Sequence, residues 1–476
     1  MILHHKNLEG LYKLERCFLV RKNLVFITTD HQRADTIGMI QNGREVTPNL
    51  NRLALEGVDF KRAYTTCPLC VPARTSLATG YFPTRNRVVI NDLKNIPDIT
   101  RDSKTIHQYL FENGYSVSHF GMQHITVKPP LEERVKFKEF LTDDDYEKIC
   151  KREGLPLFGV TEDRVRVSER HGDIYEDREY TGSRVSLFER EESLFRDRFY
   201  IDRALKYLDG ETFEKPIGLF INIWAPHPPF KVLKGLMERF PNPELPENIN
   251  KICEGEPSKR REGIAAQLAE ERDLKHWKDV WKAYLGLTNY ADELIGEIIE
   301  KLREKGEYEN TVFVFTADHG DHLGQHKMFQ KMEMYEQSIN IPLIIKEPGK
   351  KGKRVDTVVS HLDILPTVLD ILEIKSDRSF VGENILKSEV QNKDRFAYSQ
   401  YSGNQVAIGD IRRAIISKDF KYVYDPRDSE ELFNLRVDPL EMKNLEGRPE
   451  YKEIKRGLKN QMSLFLKEQN DWIHII

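Results

Sequence analysis

The 476-residue sequence has 73 Lys and Arg against 77 Asp and Glu, a formal net charge of −4, and 39% hydrophobic residues. A chain of this length and composition can bury a large core, which excludes an intrinsically disordered protein, and its balanced charge gives no general affinity for nucleic acid. We expect no transmembrane helix, because no apolar run reaches about 18 residues. The charged N-terminus lacks a signal-peptide pattern, which predicts a cytoplasmic location.

Short β-branched runs that end in polar residues predict the strands. The clearest of these runs are residues 23–30, 116–120, 218–224, 311–317 and 342–346. Helices are predicted from Pro48 to Glu56, from Pro72 onwards, and over 276–305, where apolar residues recur every three or four positions. Alternating strands and helices predict an α/β fold in which a large, mostly parallel sheet lies between helices.

The sequence divides into three parts. Residues 1–22 show no pattern and are predicted to be an N-terminal extension. Residues 23–374 carry the alternating elements and are predicted to form the main domain. Within it, residues 131–200 are crowded with charged side chains, which predicts a surface insertion, either a solvated charged face or a lid. Residues 375–476, with short alternating strands and a final helix near 447–468, predict a smaller C-terminal α+β domain with antiparallel strands.

Four of the predicted strands are followed closely by side chains that bind metals or move protons. These side chains are Asp30, His124, His227, and the pair Asp318 and His319. Because ligands of parallel sheets bind beyond the carboxyl ends of the strands, the four strand ends are expected to meet at one site. Asp30, Asp318 and His319 have the composition of a divalent-cation site. Carboxylates suit Ca²⁺, Mg²⁺ or Mn²⁺, whereas an imidazole favours Mn²⁺ or Zn²⁺ over Ca²⁺.

The cysteines are five in number and scattered, which argues against a disulfide framework. Cys67 and Cys70 form one C-x-x-C pattern, which by itself is compatible with a redox dithiol or half a zinc site, although no second C-x-x-C follows. Cys70 lies at the predicted N-terminus of the helix that contains Pro72. Free N–H groups there, with Arg74 one turn later, favour an anion and predict a reactive thiol of lowered pKa.

The stretch Cys70-Val71-Pro72-Ala73-Arg74, followed by Thr79-Gly80, resembles the C-x-P-x-R signature of the type I sulfatases of the alkaline phosphatase superfamily. The resemblance extends from about residue 23 to residue 445. It includes T-P-N-L at 47–50, P-H-P-P at 226–229, T-A-D-H-G at 316–320, G-Q-H at 324–326, Y-E at 335–336, D-I-L-P-T at 363–367 and D-P-L-E at 438–441.

This resemblance implies an alkaline-phosphatase-like fold and the metal-dependent hydrolysis of sulfate monoesters, with release of inorganic sulfate. It implies that a maturation enzyme converts Cys70 to Cα-formylglycine. Bacterial members often act on sulfated sugars, so a small sulfated carbohydrate is the expected substrate and aryl sulfates are expected surrogates. Neither nucleic acid nor membrane is an expected partner, and a homo-oligomer is compatible with the sequence.

The resemblance also implies roles for particular residues. One divalent cation is expected, Ca²⁺ first and Mg²⁺ or Mn²⁺ as alternatives. The expected cation ligands are Asp30, residue 70, Asp318 and His319. The expected catalytic residues are Cys70, Arg74, His124, His227 and Lys331, with His227 or Lys331 protonating the leaving alcohol. His326 is expected to contact the substrate.

Three positions depart from the family pattern. Met122 stands where many members have a lysine that contacts sulfate, His31 stands where many have a second acid, and Asn340 stands where many have an arginine. Another cation, from Arg33, Lys327 or the charged insertion, is expected to contact the sulfate instead. Two other functions stay open: a phosphonate monoester or phosphodiester hydrolase on the same scaffold, and a non-catalytic protein that binds sulfated glycans.

Overall fold

The computed structural model describes residues 21–155, 163–405 and 408–475, so most of the predicted N-terminal extension lies outside the described residues. The strands of the described residues are, in chain order, β1 (Asn23–Thr29), β2 (Ile40–Gln41), β3 (Arg44–Glu45), β4 (Val58–Phe60), β5 (Ala63–Tyr64), β6 (Ser116–Gly121), β7 (Glu139–Leu141), β8 (Arg164–His171), β9 (Ile174–Thr181), β10 (Val185–Leu187), β11 (Ile217–Ile223), β12 (Phe230–Val232), β13 (Thr311–Ala317), β14 (Asn340–Ile341), β15 (Leu343–Lys346), β16 (Lys353–Val355), β17 (Val359–Ser360), β18 (Ala397–Ser402), β19 (Ile411–Ile416), β20 (Phe420–Tyr424) and β21 (Glu431–Asn434).

The α-helices alternate with these strands. They are α1 (Pro48–Glu56), α2 (Cys70–Thr79), α3 (Pro83–Asn86), α4 (Ile106–Glu112), α5 (Leu131–Arg134), α6 (Asp143–Glu153), α7 (Arg196–Gly210), α8 (Ile264–Leu268), α9 (Leu274–Glu304), α10 (Glu336–Ile339), α11 (His361–Ile371), α12 (Ser388–Gln391) and α13 (Lys452–Glu468). Within the described ranges, no helix is both long and apolar enough to cross a membrane.

The central sheet of the described residues has eight strands in the order β16-β4-β15-β13-β1-β11-β6-β7. The four middle strands β13, β1, β11 and β6 are parallel neighbours, so their carboxyl ends lie at one edge. β15 runs antiparallel to β13, and β4 runs antiparallel to β15. The predicted α/β fold with a large, mostly parallel sheet is confirmed.

The middle strands β13, β1 and β11 carry mostly apolar residues because helices cover both faces of the sheet. In β1, Val25 and Ile27 face one buried cluster, whereas Leu24 and Phe26 face the other. A strand buried on both faces needs this continuous apolar run rather than an alternating one. The long helix α9 packs on the first face, and its Asp292 accepts hydrogen bonds from the backbone N–H groups of Asn49 and Leu50, which caps α1.

The C-terminal part forms a separate antiparallel sheet with the order β18-β19-β20-β21. Helix α13 packs on this sheet through Leu458, Met462 and Phe465, which contact Ile415 and Tyr422 in a third buried cluster. The predicted smaller domain of antiparallel strands with a final helix therefore has its counterpart here. The exact division of the chain at residue 375 stays a prediction.

Two elements differ from the sequence-based expectations. Helix α2 begins at Cys70 rather than at Pro72, because Ala73 N–H already bonds to Leu69 O. The charged stretch 131–200 is not only a surface insertion, since it contributes β7 to the edge of the central sheet and α7 to the core. Its periodicity was weak because short strands and loops with different faces follow one another there. The β8–β9 hairpin is the part of the stretch that stands out from the sheet.

Candidate active site

The site is organised around the first turn of helix α2. All ten residues of this helix are buried, so it has no solvent face, which explains its lack of an amphipathic pattern. Asn91 Oδ1 accepts a hydrogen bond from Val71 N–H at 3.1 Å, which satisfies one of the free N–H groups of the helix start. Cys70 is therefore held at the buried N-terminus of a rigid core helix.

A buried ion-pair network joins this helix to the ends of β1 and β13. Arg74 Nε donates to Asp318 Oδ2 at 2.9 Å, and Arg74 Nη2 donates to Asp30 Oδ2 at 3.3 Å. Burial and the neighbouring charge of Asp318 raise the pKa of Asp30. Although burial opposes it, Arg74 lowers the pKa of Asp318. One guanidinium thus compensates two adjacent buried carboxylates only in part.

Four donor side chains converge beside this network. One donor atom from each of Asp30, His31, Cys70 and His319 lies within 4.8 Å of the other three, and all four residues are buried. Burial lowers the pKa of His31, and it lowers the pKa of His319 to about 3, so both imidazoles are neutral and keep a lone pair. A carboxylate, two neutral imidazoles and a thiol at these distances are a donor set that fits a divalent cation.

Two of the four donors were expected as cation ligands together with residue 70, but His31 was not among the expected ligands. Asp318, which was, lies at the rim of the cluster. Its Oδ1 accepts hydrogen bonds from the N–H groups of His31 and His319, and its Oδ2 lies 3.7 Å from His319 Nε2. Its role as a ligand stays a prediction.

The Cys70 thiol is enclosed by polar groups. Lys331 Nζ lies 2.9 Å and His319 Nε2 lies 3.3 Å from Cys70 Sγ. Burial, with the charge of Asp30 added, raises the pKa of the Cys70 thiol. The sequence-based expectation of a lowered thiol pKa was therefore wrong, because desolvation outweighs the helix N-terminus and Lys331. This thiol is poorly suited to act as a thiolate.

The other cysteine of the C-x-x-C pattern faces a different neighbour. Gln400 Nε2 donates to Cys67 Sγ at 3.2 Å, and Cys67 and Cys70 are both free thiols. The Cys67 thiol thus has a hydrogen-bond partner on β18. The structure gives no support to a redox dithiol at these two positions.

The end of β11 supplies His227. Lys331 Nζ lies 3.4 Å from its Nε2, and its ring stacks on Trp224 with 3.8 Å between centroids. Burial, followed by the charge of Lys331, lowers the pKa of His227, so this imidazole is neutral. The loop is fixed by Asp197 of α7, which accepts hydrogen bonds from Trp224 N–H at 2.7 Å and Ala225 N–H at 3.0 Å.

The end of β6 supplies His124. Its Nε2 lies 4.0 Å from Asp143 Oδ2, and burial lowers its pKa to about 4. Asp143 is paired in turn with Arg196, whose guanidinium lies over Trp224 at 4.4 Å. His124 and His227 are thus positioned by one set of side chains from α6 and α7.

Of the four donor residues, Cys70 lines a cavity of about 240 Å³. Its wall contains Cys70, His124, His227 and Lys331, which were expected at the site. The remainder of the wall carries mostly amide, aromatic and charged side chains: Asn91, Arg164, Glu179, Tyr180, Thr181, Trp224, Gln330, Asn404 and Gln405, with Val71 and Leu93. Arg164 and Glu179 come from the β8–β9 hairpin, within the predicted insertion.

Arg33 and His326, which were expected to contact the substrate, do not line this cavity. Arg33 is committed elsewhere, since its guanidinium binds both Asp35 oxygens and the carbonyl of Asp321. His326 is buried and stacked on Tyr335, with 3.9 Å between ring centroids. In both cases a neighbouring residue holds the side chain outside the cavity wall.

Met122, which stands in place of the family lysine, is fully buried and does not reach the cavity either. Lys327, another candidate replacement, is not part of the wall. Of the candidate sources, only the insertion brings a cation to the cavity, as Arg164.

Sequence reasoning missed Asp143, Arg196, Asp197 and Asp321. The first three lie in the stretch that was interpreted as a charged surface. An Asp beside an Arg at the start of an apolar helical pattern, as at 196–197, was the available signal for a buried pair. Asp321 follows the D-H-G motif directly, and its proximity to Asp318 and His319 was the signal there.

Two protein-family models match this chain. The family model described as "Sulfatase" matches residues 22–374, and the model described as "N-sulphoglucosamine sulphohydrolase, C-terminal" matches residues 324–468. The chain is 28% identical to an arylsulfatase of Clostridium perfringens over 460 residues, which cover 91% of this chain and 92% of that one.

Two further similarities involve sugar sulfates. The chain is 23% identical to an N-acetylglucosamine-6-O-sulfatase of Bacteroides thetaiotaomicron, with 95% of this chain and 87% of that one covered. A solved structure of a protein in complex with its substrate D-glucosamine-2-N,6-O-disulfate superposes with a TM-score of 0.71 at 21% identity, covering 94% of this chain and 98% of that one. The last similarity concerns the fold alone.

The buried contacts of Asp197 give a test of how the His227 loop is held. In Asp197→Asn, an NH₂ group replaces one of the two oxygens that accept hydrogen bonds from Trp224 N–H and Ala225 N–H. One of these backbone N–H groups then lacks an acceptor, so we expect the free energy of unfolding to fall by about 1–3 kcal/mol. Urea denaturation followed by circular dichroism measures this change. The control is Asp202→Asn on the same helix, whose carboxylate is 45% exposed and pairs with Arg198. We expect a change within about 0.5 kcal/mol for this variant. Equal effects of the two variants would contradict the assigned role.

Proposed function

The chain belongs to the type I sulfatases of the alkaline phosphatase superfamily and is a sulfuric ester hydrolase, and we propose that it hydrolyses sulfate monoesters of a small carbohydrate through a Cα-formylglycine made from Cys70. The observation that carries this proposal is the position of Cys70. Its side chain starts a buried helix between Asp30, His319 and Lys331, at the wall of a cavity that also contains His124 and His227.

Hydrolysis of a sulfate monoester needs a nucleophile, positive charge at the sulfuryl oxygens and a proton for the leaving oxygen. A hydrated aldehyde at position 70 supplies two hydroxyl groups on one carbon, so that one can attack sulfur and the other can expel sulfate and restore the aldehyde. A raised thiol pKa agrees with this assignment, because an unmodified thiol at this position is a poor nucleophile. A maturation enzyme that oxidises Cys70 is the implied partner.

The positive charge at the site comes from several sources. When bound by Asp30, His319 and their neighbours, a divalent cation supplies charge for the sulfuryl oxygens. Lys331 is buried directly beside Cys70 Sγ and adds a second cation. Arg74 holds Asp30 and Asp318 in place. We assign to Arg164 the sulfate contact that a lysine at position 122 makes in many relatives.

Two side chains can deliver the proton to the leaving oxygen. Lys331 carries a proton and lies 3.4 Å from His227 Nε2, whereas burial keeps His227 neutral. We therefore assign the proton to Lys331, whose Nζ donates it directly to the leaving oxygen, while His227 Nε2 helps to hold that ammonium group in place. His124 is neutral and lies in the cavity wall after the end of β6. We assign it as the base that deprotonates the second hydroxyl group.

A carbohydrate suits the composition of the cavity wall. Asn91, Gln330, Asn404 and Gln405 offer amide donors and acceptors for hydroxyl groups, and Trp224 offers an aromatic face. Relatives named for sugar sulfates lend further support. The same scaffold also suits phosphonate or phosphodiester hydrolysis, which is the second function to be tested.

The first prediction concerns the modification of Cys70. Co-expression with a formylglycine-generating enzyme is expected to yield a Cys70 peptide about 18 Da lighter, with an aldehyde that reacts with hydrazide probes. Cys70→Ala is expected to abolish turnover of an aryl sulfate, because no hydroxyl group remains to attack sulfur. Cys67→Ser serves as the matched control and should retain activity, which a redox role for the two cysteines does not allow. Turnover by Cys70→Ala would refute the proposed nucleophile.

The second prediction concerns the substrate. We expect turnover of aryl sulfates to exceed that of matched aryl phosphonate monoesters, and a panel of position-defined sulfated monosaccharides to contain a substrate with higher kcat/KM than any aryl sulfate. Release of inorganic sulfate measured by ion chromatography gives both comparisons. Dominant phosphonate hydrolysis would assign the second function. A modified Cys70 without turnover of any ester would indicate a binding protein.

The third prediction concerns the leaving-group proton. Lys331→Gln is expected to make the rate depend more steeply on the acidity of the phenol, with losses of about 10²–10⁴-fold for weakly acidic phenols. His227→Gln should steepen this dependence less. A series of substituted phenyl sulfates at saturating concentration measures both slopes. If His227→Gln alone steepened the slope, the proton would be assigned to the histidine instead.

A further inference from the structure

His31 occupies a strained position between the two metal-binding strand ends. It follows Asp30 at the end of β1, and its φ of 63° lies in the left-handed region that residues other than glycine seldom adopt. Two hydrogen bonds hold this backbone: His31 N–H donates to Asp318 Oδ1 at 3.3 Å, and Tyr284 Oη donates to His31 O at 2.9 Å. The surrounding structure therefore keeps the imidazole inside the buried donor cluster.

The proton on the His31 ring is located by its two neighbours. Asp321 Oδ2 lies 2.7 Å from Nδ1, and a carboxylate at that distance accepts a hydrogen bond from Nδ1–H. Lys331 Nζ lies 2.7 Å from Nε2, and an ammonium group can only donate, so Nε2 is the acceptor. Both contacts specify the same tautomer, in which the lone pair is on Nε2, the ring nitrogen that faces Lys331 Nζ. Because His31 also lies in the donor cluster with Asp30, Cys70 and His319, a cation bound to Nε2 would take the place of the Lys331 hydrogen bond.

Asp321 is itself fixed in one orientation. Its Oδ1 accepts hydrogen bonds from Leu323 N–H and Gln330 N–H, both at 3.0 Å, and this leaves Oδ2 for His31. A carboxylate that holds the second ring nitrogen is the usual partner of a histidine that ligates a metal. Asp321 is buried and does not line the cavity, so substrate contact does not account for it.

We propose that His31 is a ligand of the divalent cation, that Asp321 holds its ring in the ligating tautomer, and that the site consequently prefers a first-row transition-metal ion to Ca²⁺. This inference rests on the cation site of the proposed function. With His319, His31 gives the cluster two imidazole donors beside the Asp30 carboxylate.

The preference follows from the donor types. Ca²⁺ takes six to eight oxygen ligands, whereas imidazole nitrogen suits ions such as Mn²⁺, Co²⁺ and Zn²⁺. The oxygen donors available here are few, because Asp318 already binds two backbone N–H groups and Arg74.

The test measures cation affinity rather than turnover. The full-length protein is stripped with a chelator and titrated with Mn²⁺, Co²⁺ and Ca²⁺ by calorimetry, and bound Co²⁺ is also followed by its visible absorption. We expect Mn²⁺ and Co²⁺ to bind at least about 10-fold more tightly than Ca²⁺. His31→Gln should weaken Co²⁺ binding by about 10- to 100-fold and change its spectrum. His31→Asp, which restores an oxygen donor, should favour Ca²⁺.

Asp321→Asn provides the test of the tautomer. Asparagine keeps the oxygen that accepts the N–H groups of Leu323 and Gln330, but its amide donates to Nδ1 and so moves the ring proton to Nε2. We expect Co²⁺ affinity to fall by about 10- to 100-fold with the fold retained, as checked by circular dichroism. His326→Gln removes another buried imidazole, away from the donor cluster, and should leave Co²⁺ affinity unchanged.

The binding results test the role of His31, the cation site itself and the role of Asp321 separately. If Ca²⁺ binds as tightly as Co²⁺ and neither His31→Gln nor Asp321→Asn alters binding, the role of His31 is overturned while the cation site stands. If no cation binds at one equivalent, the metal dependence of the proposed function fails as well. A loss confined to His31→Gln, with Asp321→Asn unchanged, overturns the assigned role of Asp321.

Discussion

The structure depends on the burial of two carboxylates side by side at the end of a parallel sheet. Asp30 and Asp318 are fully buried at the ends of adjacent strands, and the repulsion between their charges requires compensation. Arg74 bonds to both, which ties helix α2 to the sheet and thereby sets the position of Cys70. Lys331, buried beside Cys70, faces the same two carboxylates from the other side.

Positive charge is distributed around this core from distant parts of the chain. Lys331 approaches Cys70 from the segment after β13, and Arg164 reaches the cavity from the β8–β9 hairpin. Met122 is buried and contributes no charge to the cavity wall. A long charged segment thus supplies both a sheet strand and part of the substrate cavity.

The polar framework under the histidines has a different origin. Asp197, Arg196 and Asp143 lie on α6 and α7, and they hold the loops that carry Trp224, His227 and His124. A helix packed on the sheet can position several strand-end loops at once because its own backbone is rigid. Rigid support of this kind keeps the imidazoles oriented at the cavity wall, and burial keeps them neutral.

The sequence by itself determined the α/β fold and the residues that meet at the strand ends. Continuous β-branched runs that end in Asp or His are local patterns, and parallel pairing then brings those ends together. Position 70 was recognised through the C-x-P-x-R pattern in the same local way. These predictions did not require the individual side-chain contacts to be known, because parallel pairing places the carboxyl ends of neighbouring strands at the same edge of the sheet.

Only the tertiary structure decided how individual side chains are used. His31 and Asp321 are 290 residues apart, and no local pattern shows that one fixes the tautomer of the other. Arg33 is bound by Asp35 and by the carbonyl of Asp321, 288 residues away. His326 stacks on Tyr335. Burial raises the pKa of the Cys70 thiol instead of lowering it. Orientation and pKa depend on burial and on contacts across the fold. Those quantities arise when distant segments pack together, so they could not be predicted from the residues in sequence order.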